Sequence, residues 1–401
     1  MSGLLPYGRQ DIDERDIAAV VKVLTSERLT QGPAVERFER AVAERCEAAC
    51  AISVNSATSA LHLACLALEV GPGSLVWTTP ITFVASANCA VLCGADVDFV
   101  DIDPVTWNLC PRALERRLLD ARSRGDRLPV VVIVVHFAGE PCDMRAIDAL
   151  SKRFGFRVIE DASHAVGARQ HGAPVGSCRC SDITVFSFHP VKIITSAEGG
   201  MLLTQDVALA ERMRAQRTNG IWRTEASDGG PLDEPWAYEQ RDIGCNYRLS
   251  DVHAALGASQ IGRLDAFLAH RHALAERYDE QLADLPVQLP RRAADAYSAL
   301  HLYPVLLPVD HRVPDLRRTV FDGMVAGGIG VNVHYIPVHT QPFYRARSVV
   351  RELPRAESYY ARTISLPLFG VMTLQEQDRV TERLRSVLER TLSGSSLAKA
   401  A

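Results

Sequence analysis

A chain of 401 residues, at roughly 150 per domain, allows two or three domains and a core that needs neither disulfides nor metals. Hydrophobic residues make up 47% and charged residues 23%, which excludes wholesale disorder. The formal charge of -4, from 44 basic and 48 acidic side chains with no Lys/Arg-rich run, speaks against nucleic acid or an anionic membrane as a partner.

The N-terminus, Met1-Ser2-Gly3-Leu4-Leu5-Pro6, has no basic stretch and no long apolar one, so no signal peptide and a cytoplasmic protein are expected. From there to about residue 210, short β-rich runs alternate with helical patterns. Ala51–Val54, Leu75–Thr78, Val97–Asp101, Pro129–His136, Phe156–Asp161, Ile183–Phe186 and Met201–Thr204 read as strands. Ala57–Leu68, Phe83–Cys93, Pro111–Ala121 and Met144–Phe154 read as helices. This alternation predicts an α/β fold, with a mostly parallel sheet covered by helices on both faces. The apolar run Val130–Val135, between Pro129 and His136, fits a central strand and is far too short to span a bilayer. Gly220–Arg241 reads as an irregular insertion, and Leu249–Tyr278 as one long helical pattern. The expected organisation is a large domain over 1–260, a smaller α/β domain over 261–390 and a frayed tail over 391–401.

The ten cysteines form no CxxC pair, and most sit in apolar surroundings. Reduced, structural cysteines are expected, and no metal site. Neither GxxxxGK(S/T) nor a strand-borne GxGxxG is present, which excludes a P-loop and disfavours a dinucleotide dehydrogenase.

Lysine is scarce. There are four, Lys22, Lys152, Lys192 and Lys399, against 40 arginines. Where arginine carries the surface charge, a retained lysine is a candidate for chemistry that only an amine able to lose its proton can do. Lys22 and Lys152 fall in helical patterns and Lys399 in the tail. Lys192 follows a strand, in Ser187-Phe188-His189-Pro190-Val191-Lys192. It is either a loop lysine or a Schiff-base lysine. In parallel sheets, ligands gather at the carboxyl ends of strands. Asp161 ends such a strand and is either a turn residue or the acid that keeps a pyridine nitrogen protonated in a pyridoxal phosphate enzyme. Asn55-Ser56-Ala57-Thr58-Ser59-Ala60-Leu61 links a strand to a helix; it is an ordinary N-cap or a phosphate cradle, to which Ser187 would add a hydroxyl. Phe83 is a core aromatic or a ring stacked on a cofactor.

Taken together and in order, these segments resemble a known family. Asn55–Leu61, Glu160-Asp161-Ala162-Ser163-His164-Ala165, Ser187–Lys192 and Gly244-Cys245-Asn246-Tyr247-Arg248-Leu249-Ser250-Asp251 are similar to the DegT/DnrJ-type nucleotide-sugar aminotransferases, pyridoxal phosphate enzymes of fold type I. The resemblance extends from Pro6 to about Thr373 and takes in Leu29-Thr30-Gln31-Gly32-Pro33, His136-Phe137-Ala138-Gly139, Val331–His339 and Ser365–Phe369. Pro6–Gln10, His189-Pro190-Val191 and His334-Tyr335-Ile336-Pro337-Val338-His339 most resemble the branch of pseudaminic acid synthesis.

The resemblance implies a homodimer with shared active sites. Its donor would be L-glutamate and its acceptor a UDP-linked 4-keto-6-deoxy-N-acetylhexosamine. Pyridoxal 5'-phosphate would become pyridoxamine 5'-phosphate during turnover. Lys192 would carry the Schiff base, Asp161 would pair with the pyridine nitrogen, and Phe83 and His164 would flank the ring. Ser56, Ala57, Thr58 and Ser187 would hold the phosphate, with Asn246 reaching it from the partner subunit. Tyr7, Leu29, Thr30, Gln31, Gly32, Ser59, His334, Tyr335, Ile336 and Pro337 would line the nucleotide-sugar site. Three residues depart from the family pattern: Ala197 stands for a usual Gly, Asn219 for a usual His and Cys245 for a common aromatic. Members that dehydrate carry His at the Schiff-base position, and Lys192 argues against that branch. The alternatives are an aminotransferase for another nucleotide-linked keto sugar, dTDP- or legionaminic-type, or a non-catalytic sensor or scaffold on the same fold.

Overall fold

The computed structural model describes residues 3–222, 236–311, 313, 315–347 and 352–397. Seven strands form the main sheet: β1 (Cys50–Val54), β2 (Leu75–Thr78), β3 (Asp96–Phe99), β4 (Val131–Val135), β5 (Arg157–Asp161), β6 (Ile183–Ser187) and β7 (Gly200–Thr204). Their order across the sheet is β1-β7-β6-β5-β4-β2-β3. β3, β2, β4, β5 and β6 pair in parallel, whereas β7 runs antiparallel to both β6 and β1. The expected strands are all present, with ends shifted by one or two residues.

The helices of this half are α1 (Glu14–Leu24), α2 (Pro33–Cys46), α3 (Ala57–Ala67), α4 (Ala85–Leu92), α5 (Pro111–Arg124), α6 (Met144–Phe154) and α7 (Val207–Gln216). The five-residue apolar run of β4 is explained by burial on both faces. Val131 and Ile133 pack among residues of α3, α4 and α7, whereas Val132 and Val134 pack with α5 and α6. Under β7 and β6, Met201, Leu203 and Phe186 bury against Phe38 and Val42 of α2.

The expected long helix over Leu249–Tyr278 is two, α8 (Asp251–Ile261) and α9 (Leu264–Gln281). The chain turns at Gly262, a poor helix former, and Arg263 pairs with Asp11, Asp13 and Asp16 ahead of and within α1. The rest builds around a two-stranded pair, β8 (Tyr303–Leu306) with β9 (Thr363–Leu366), and helices α10 (Leu316–Ala326), α11 (Pro354–Arg362) and α12 (Leu374–Leu397). This part has its own core around Tyr278, Tyr303, Val320 and Leu384. Val338, Tyr344 and Tyr359, by contrast, join the core beneath the main sheet.

The tail expected over 391–401 is corrected in its first part. α12 runs through Leu397, and Leu392 packs on the adjacent core. No proline interrupts the segment, and adding residues to an existing helix costs far less than starting one. Residues 398–401 lie outside the described residues. So do 223–235, most of the expected insertion; at its ends Ile221–Trp222 pairs with Glu239–Gln240.

Two of the departures from the family pattern have left-handed backbones. Asn219 has φ 60°, which Asn tolerates, and Ala197 has φ 66°, which its Cβ opposes. Replacing Ala197 by Gly should therefore stabilise the fold by about 0.5–1 kcal/mol, after the entropy Gly adds to the unfolded chain. A thermal melt checks this, and an unchanged or lower midpoint would show that the alanine is not strained.

Candidate active site

A single cavity of about 570 Å³ opens at the carboxyl ends of β1, β2, β5 and β6. It gathers Tyr7, Ser56, Ala57, Thr58, Phe83, Asp161, His164, Ser187, Lys192, His334, Tyr335 and Ile336 from segments far apart in sequence.

β5 and β6 are adjacent and parallel, with Asp161 opposite Val185, so the acid and the Lys192 loop leave the sheet side by side. The Asp161 carboxylate is held on both oxygens. Oδ2 accepts from Ser86 Oγ at 2.6 Å, and Ser86 in turn contacts Thr82 Oγ1 at 2.7 Å. Oδ1 accepts from Ser163 Oγ at 2.6 Å and from the Ser163 amide at 3.2 Å. Desolvation pushes the Lys192 amine down to about 8, against the pull of Asp161 in the other direction.

One end of the cavity lies at the start of α3. Ser56 caps this helix: its Oγ accepts from the Ser59 amide at 3.1 Å. Ser56, Ala57 and Thr58 line the cavity, at the helix end whose free N–H groups suit an anion. Gly200 pairs with Val54 on one side and Ser187 on the other, closing the cradle. A Cβ there would come within 2.5 Å of Ser56 O and 2.7 Å of Ala57 N, so only glycine permits this approach.

Phe83 precedes α4, which starts at Ala85 rather than at Phe83 as expected. At 59% exposure on the cavity wall, it is not a core aromatic. Tyr335, its ring centroid 6.4 Å from that of Phe83, belongs to a set of rings without charge. His164 Nδ1 accepts the Ala138 amide at 3.3 Å, so its proton sits on Nε2, 3.1 Å from the Tyr335 hydroxyl. Burial, then the charge of Lys192, holds His164 well below the usual histidine range and His334 at about 3. His334 Nδ1 lies 2.8 Å from Ser365 Oγ, and its ring centroid lies 5.4 Å from that of Tyr7. The loop bearing these residues is pinned by the Val338 amide on Pro80 O at 2.9 Å, beyond the end of β2.

Some expected residues do not line this cavity. Ser59 is buried behind the cradle as the Ser56 capping partner, and Pro337 is buried at the start of the Val338–Thr340 turn. Leu29, Thr30, Gln31 and Gly32 instead meet the segment that carries Asn246. Thr30 bridges Ser250, the Asp251 amide donates to Leu29 O at 2.9 Å, and the Gly32 amide donates to Asp251 Oδ2 at 2.8 Å. Asn246 is exposed and bridges Thr218 through its backbone. Conversely, Ser86, Thr82, Glu198 and Gln341 belong to the site or its support without having been singled out in the sequence, and His189 and Asn332, inside recognised strings, were given no role there. Ser163, two residues after Asp161, was the one with a local signal, since a hydroxyl at that spacing reaches back to the carboxylate.

These groups fit the three handles of pyridoxal phosphate: an amine for the aldehyde, an anchored carboxylate for the pyridine N–H and a helix N-terminus with hydroxyls for the phosphate.

Comparison with known proteins agrees with this geometry. Residues 10–385 match the family model described as the DegT/DnrJ/EryC1/StrS aminotransferase family. The UDP-4-amino-4,6-dideoxy-N-acetyl-beta-L-altrosamine transaminase of Campylobacter jejuni is 37% identical over 393 residues, covering 98% of this chain and 99% of that one. The spore coat polysaccharide biosynthesis protein SpsC of Bacillus subtilis is 36% identical over 394 residues, covering 96% and 97%. Among solved structures, Helicobacter pylori PseC, an aminotransferase involved in the biosynthesis of pseudoaminic acid, superposes with a TM-score of 0.87 at 29% identity, covering 96% of this chain and 99% of that one. The pyridoxal phosphate form of the putative sugar aminotransferase Spr1654 from Streptococcus pneumoniae gives 0.85 at 26% identity, covering 96% and 99%. By sequence over nearly its whole length, and by fold, the chain belongs to the DegT/DnrJ/EryC1/StrS aminotransferase family.

Proposed function

We propose that this nucleotide-sugar aminotransferase moves the amino group of L-glutamate to C4 of a UDP-linked 4-keto-6-deoxy-N-acetylhexosamine. The products would be UDP-4-amino-4,6-dideoxy-N-acetyl-β-L-altrosamine and 2-oxoglutarate, a step toward pseudaminic acid. The observation that carries the reaction class is the meeting of Lys192, Asp161 and the Ser56–Thr58 cradle in one cavity. The acceptor rests on the full-length identity to the Campylobacter transaminase.

Pyridoxal phosphate, when bound, supplies an aldehyde that takes up an amine and a pyridine ring that draws electrons from the adjacent carbon. Lys192 Nζ, neutral above about pH 8, would hold the aldehyde and, as a free amine, would carry the proton from the donor's Cα to the adjacent carbon of the cofactor. The Asp161 carboxylate, fixed by Ser86 and Ser163, would keep a proton on the ring nitrogen. Ser56, Ala57, Thr58 and Ser187 would bind the phosphate, and Phe83 would stack on the ring. Tyr7, His334, Tyr335 and Ile336 orient the sugar.

Both substrates carry two anionic groups, carboxylates or phosphates, yet among the described residues Lys192 is the one lysine or arginine lining the cavity. That supports a dimer in which the partner completes the site. In that dimer Asn246, exposed and with no side-chain hydrogen bond within its own chain among the described residues, would reach the partner's phosphate cradle, and the neighbouring Leu29–Gly32 segment its sugar site.

Three outcomes check this reading. Incubation with glutamate and the UDP-4-keto sugar should give the C4 amine with the L-altro configuration by NMR of the product. Turnover only with a different keto sugar would transfer the assignment toward relatives such as SpsC. Cofactor-free protein mixed with pyridoxal phosphate should gain the yellow absorbance at a rate rising about tenfold per pH unit and levelling near pH 8, because the neutral amine reacts. Lys192→Ala should not gain it at any pH, and a wild-type rate still climbing toward pH 10 would contradict a lowered amine. Asn246→Ala should lose cofactor on dialysis roughly ten- to a hundredfold faster, the value of one hydrogen bond to a charged group. Retention equal to wild type would rule out the shared site.

A further inference from the structure

Immediately before Asp161 stands a second buried carboxylate, which the chemistry above does not use. Successive side chains of a strand point to opposite faces. Asp161 faces the cavity, so Glu160 faces the other side of the sheet, with Val158 and with Val134, its register partner in β4. Glu160 is 5% exposed, and no lysine or arginine pairs with it among the described residues. Its Oε2 accepts from His136 Nε2 at 2.6 Å, and its Oε1 accepts from Thr184 Oγ1 at 2.9 Å and from Ser181 Oγ. Burial raises the Glu160 carboxyl, but these donors outweigh it and keep the group ionised. Burial disfavours a charged His136 ring, and the carboxylate favours one. The Cys142 amide decides, because it donates to His136 Nδ1 at 3.0 Å and leaves no place there for a second proton. Glu160 is therefore a buried negative charge held by neutral donors. Such a charge is a poor source of stability, since a neutral residue of the same shape often serves a fold as well.

What the carboxylate holds is His136, and His136 opens the turn between β4 and α6. The His136 main-chain amide donates to Asp161 O at 3.1 Å, and its ring takes the Cys142 amide from the far end of the turn. Between these ties Ala138, with a left-handed φ of 58°, brings its amide to 3.3 Å from His164 Nδ1. A non-glycine residue keeps that backbone only where its surroundings over-determine it. We propose that Glu160 and His136 are positioning residues for the cofactor site: Glu160 fixes the His136 ring, His136 sets the turn, and the Ala138 amide of that turn fixes the tautomer of His164. Neither residue of the pair lines the cavity, so both act through the groups that do. The inference rests on the cofactor occupying this cavity, and on nothing about the acceptor sugar.

The test compares three full-length variants with wild type, all loaded with pyridoxal phosphate. Glu160→Gln keeps an acceptor for His136 Nε2, and the Ser181 and Thr184 hydroxyls can turn to accept from its amide. It should melt no lower than wild type and hold the cofactor equally well. Glu160→Leu leaves the His136 N–H without a partner and frees the ring. Val320→Ala, in the separate core around Tyr278, is the control for stability lost far from the turn. Both of these should lower the melting midpoint. Only Glu160→Leu should also shed pyridoxal phosphate on dialysis, about tenfold faster, the value of one hydrogen bond. Only there, at saturating cofactor, should nitrogen-15 NMR of histidine-labelled protein show the His164 proton divided between Nδ1 and Nε2. The wild-type spectrum is informative even if a variant fails to fold: His136 and His164 should each carry a single ring proton, on Nε2, the signals being identified by their loss in His136→Gln and His164→Gln. A doubly protonated His136, a wild-type His164 proton on Nδ1, a Glu160→Leu protein that keeps cofactor and tautomer, a Glu160→Gln protein that loses either, or a Val320→Ala protein that sheds cofactor as fast would each overturn the inference. A wild-type chain that takes up no pyridoxal phosphate would instead defeat the reading of the cavity on which it rests.

Discussion

An amine held away from bulk water beside an immobilised carboxylate is the constraint on which this structure depends. Desolvation moves the Lys192 amine from 10.5 to about 8, worth about 3 kcal/mol in favour of its neutral form. Asp161 opposes that shift and limits it. The balance requires the two groups to stay put. The parallel pairing of β5 with β6 fixes where their loops emerge. Ser86, Thr82 and Ser163 then fix the carboxylate itself. A free carboxylate would swing toward the amine and make a tight ion pair, and the lysine would stay charged.

The walls follow the same logic. His164 and His334 are buried and neutral, so the lysine meets polar rings but no second cation. The Ala138 amide settles the tautomer of His164, which leaves the Tyr335 hydroxyl proton free to point at a bound molecule. A backbone amide in the turn after β4 thus decides which nitrogen of His164 donates and which accepts.

Much of this was legible in the sequence because parallel, doubly buried strands leave unbroken apolar runs, and their ends then mark where ligands gather. Scarcity of lysine singled out Lys192, and its neighbours followed. What could not be read was whatever depends on packing between distant segments. Ser86 supports Asp161 from 75 residues upstream, with no local mark to distinguish it from any helix serine. Leu29–Gly32 carries a recognisable string, but no string says whether it faces its own cavity or another chain's. The break at Gly262 was hidden because apolar spacing continues through it, and the helix through Leu397 because small polar residues read as a tail while Leu392 is anchored.

The close crossing of β7 over the start of α3 has an engineering consequence. Because Gly200 leaves no room for a side chain against the Ser56 and Ala57 backbone, that position is closed to redesign. The wall formed by Tyr7 and the 334–341 loop is side chain rather than backbone, borne on a segment outside the main sheet. Attempts to change what the cavity accepts therefore meet one position that has to stay glycine, and a wall whose own ties, Tyr335 to His164 and Val338 to Pro80, limit which of its side chains can be exchanged.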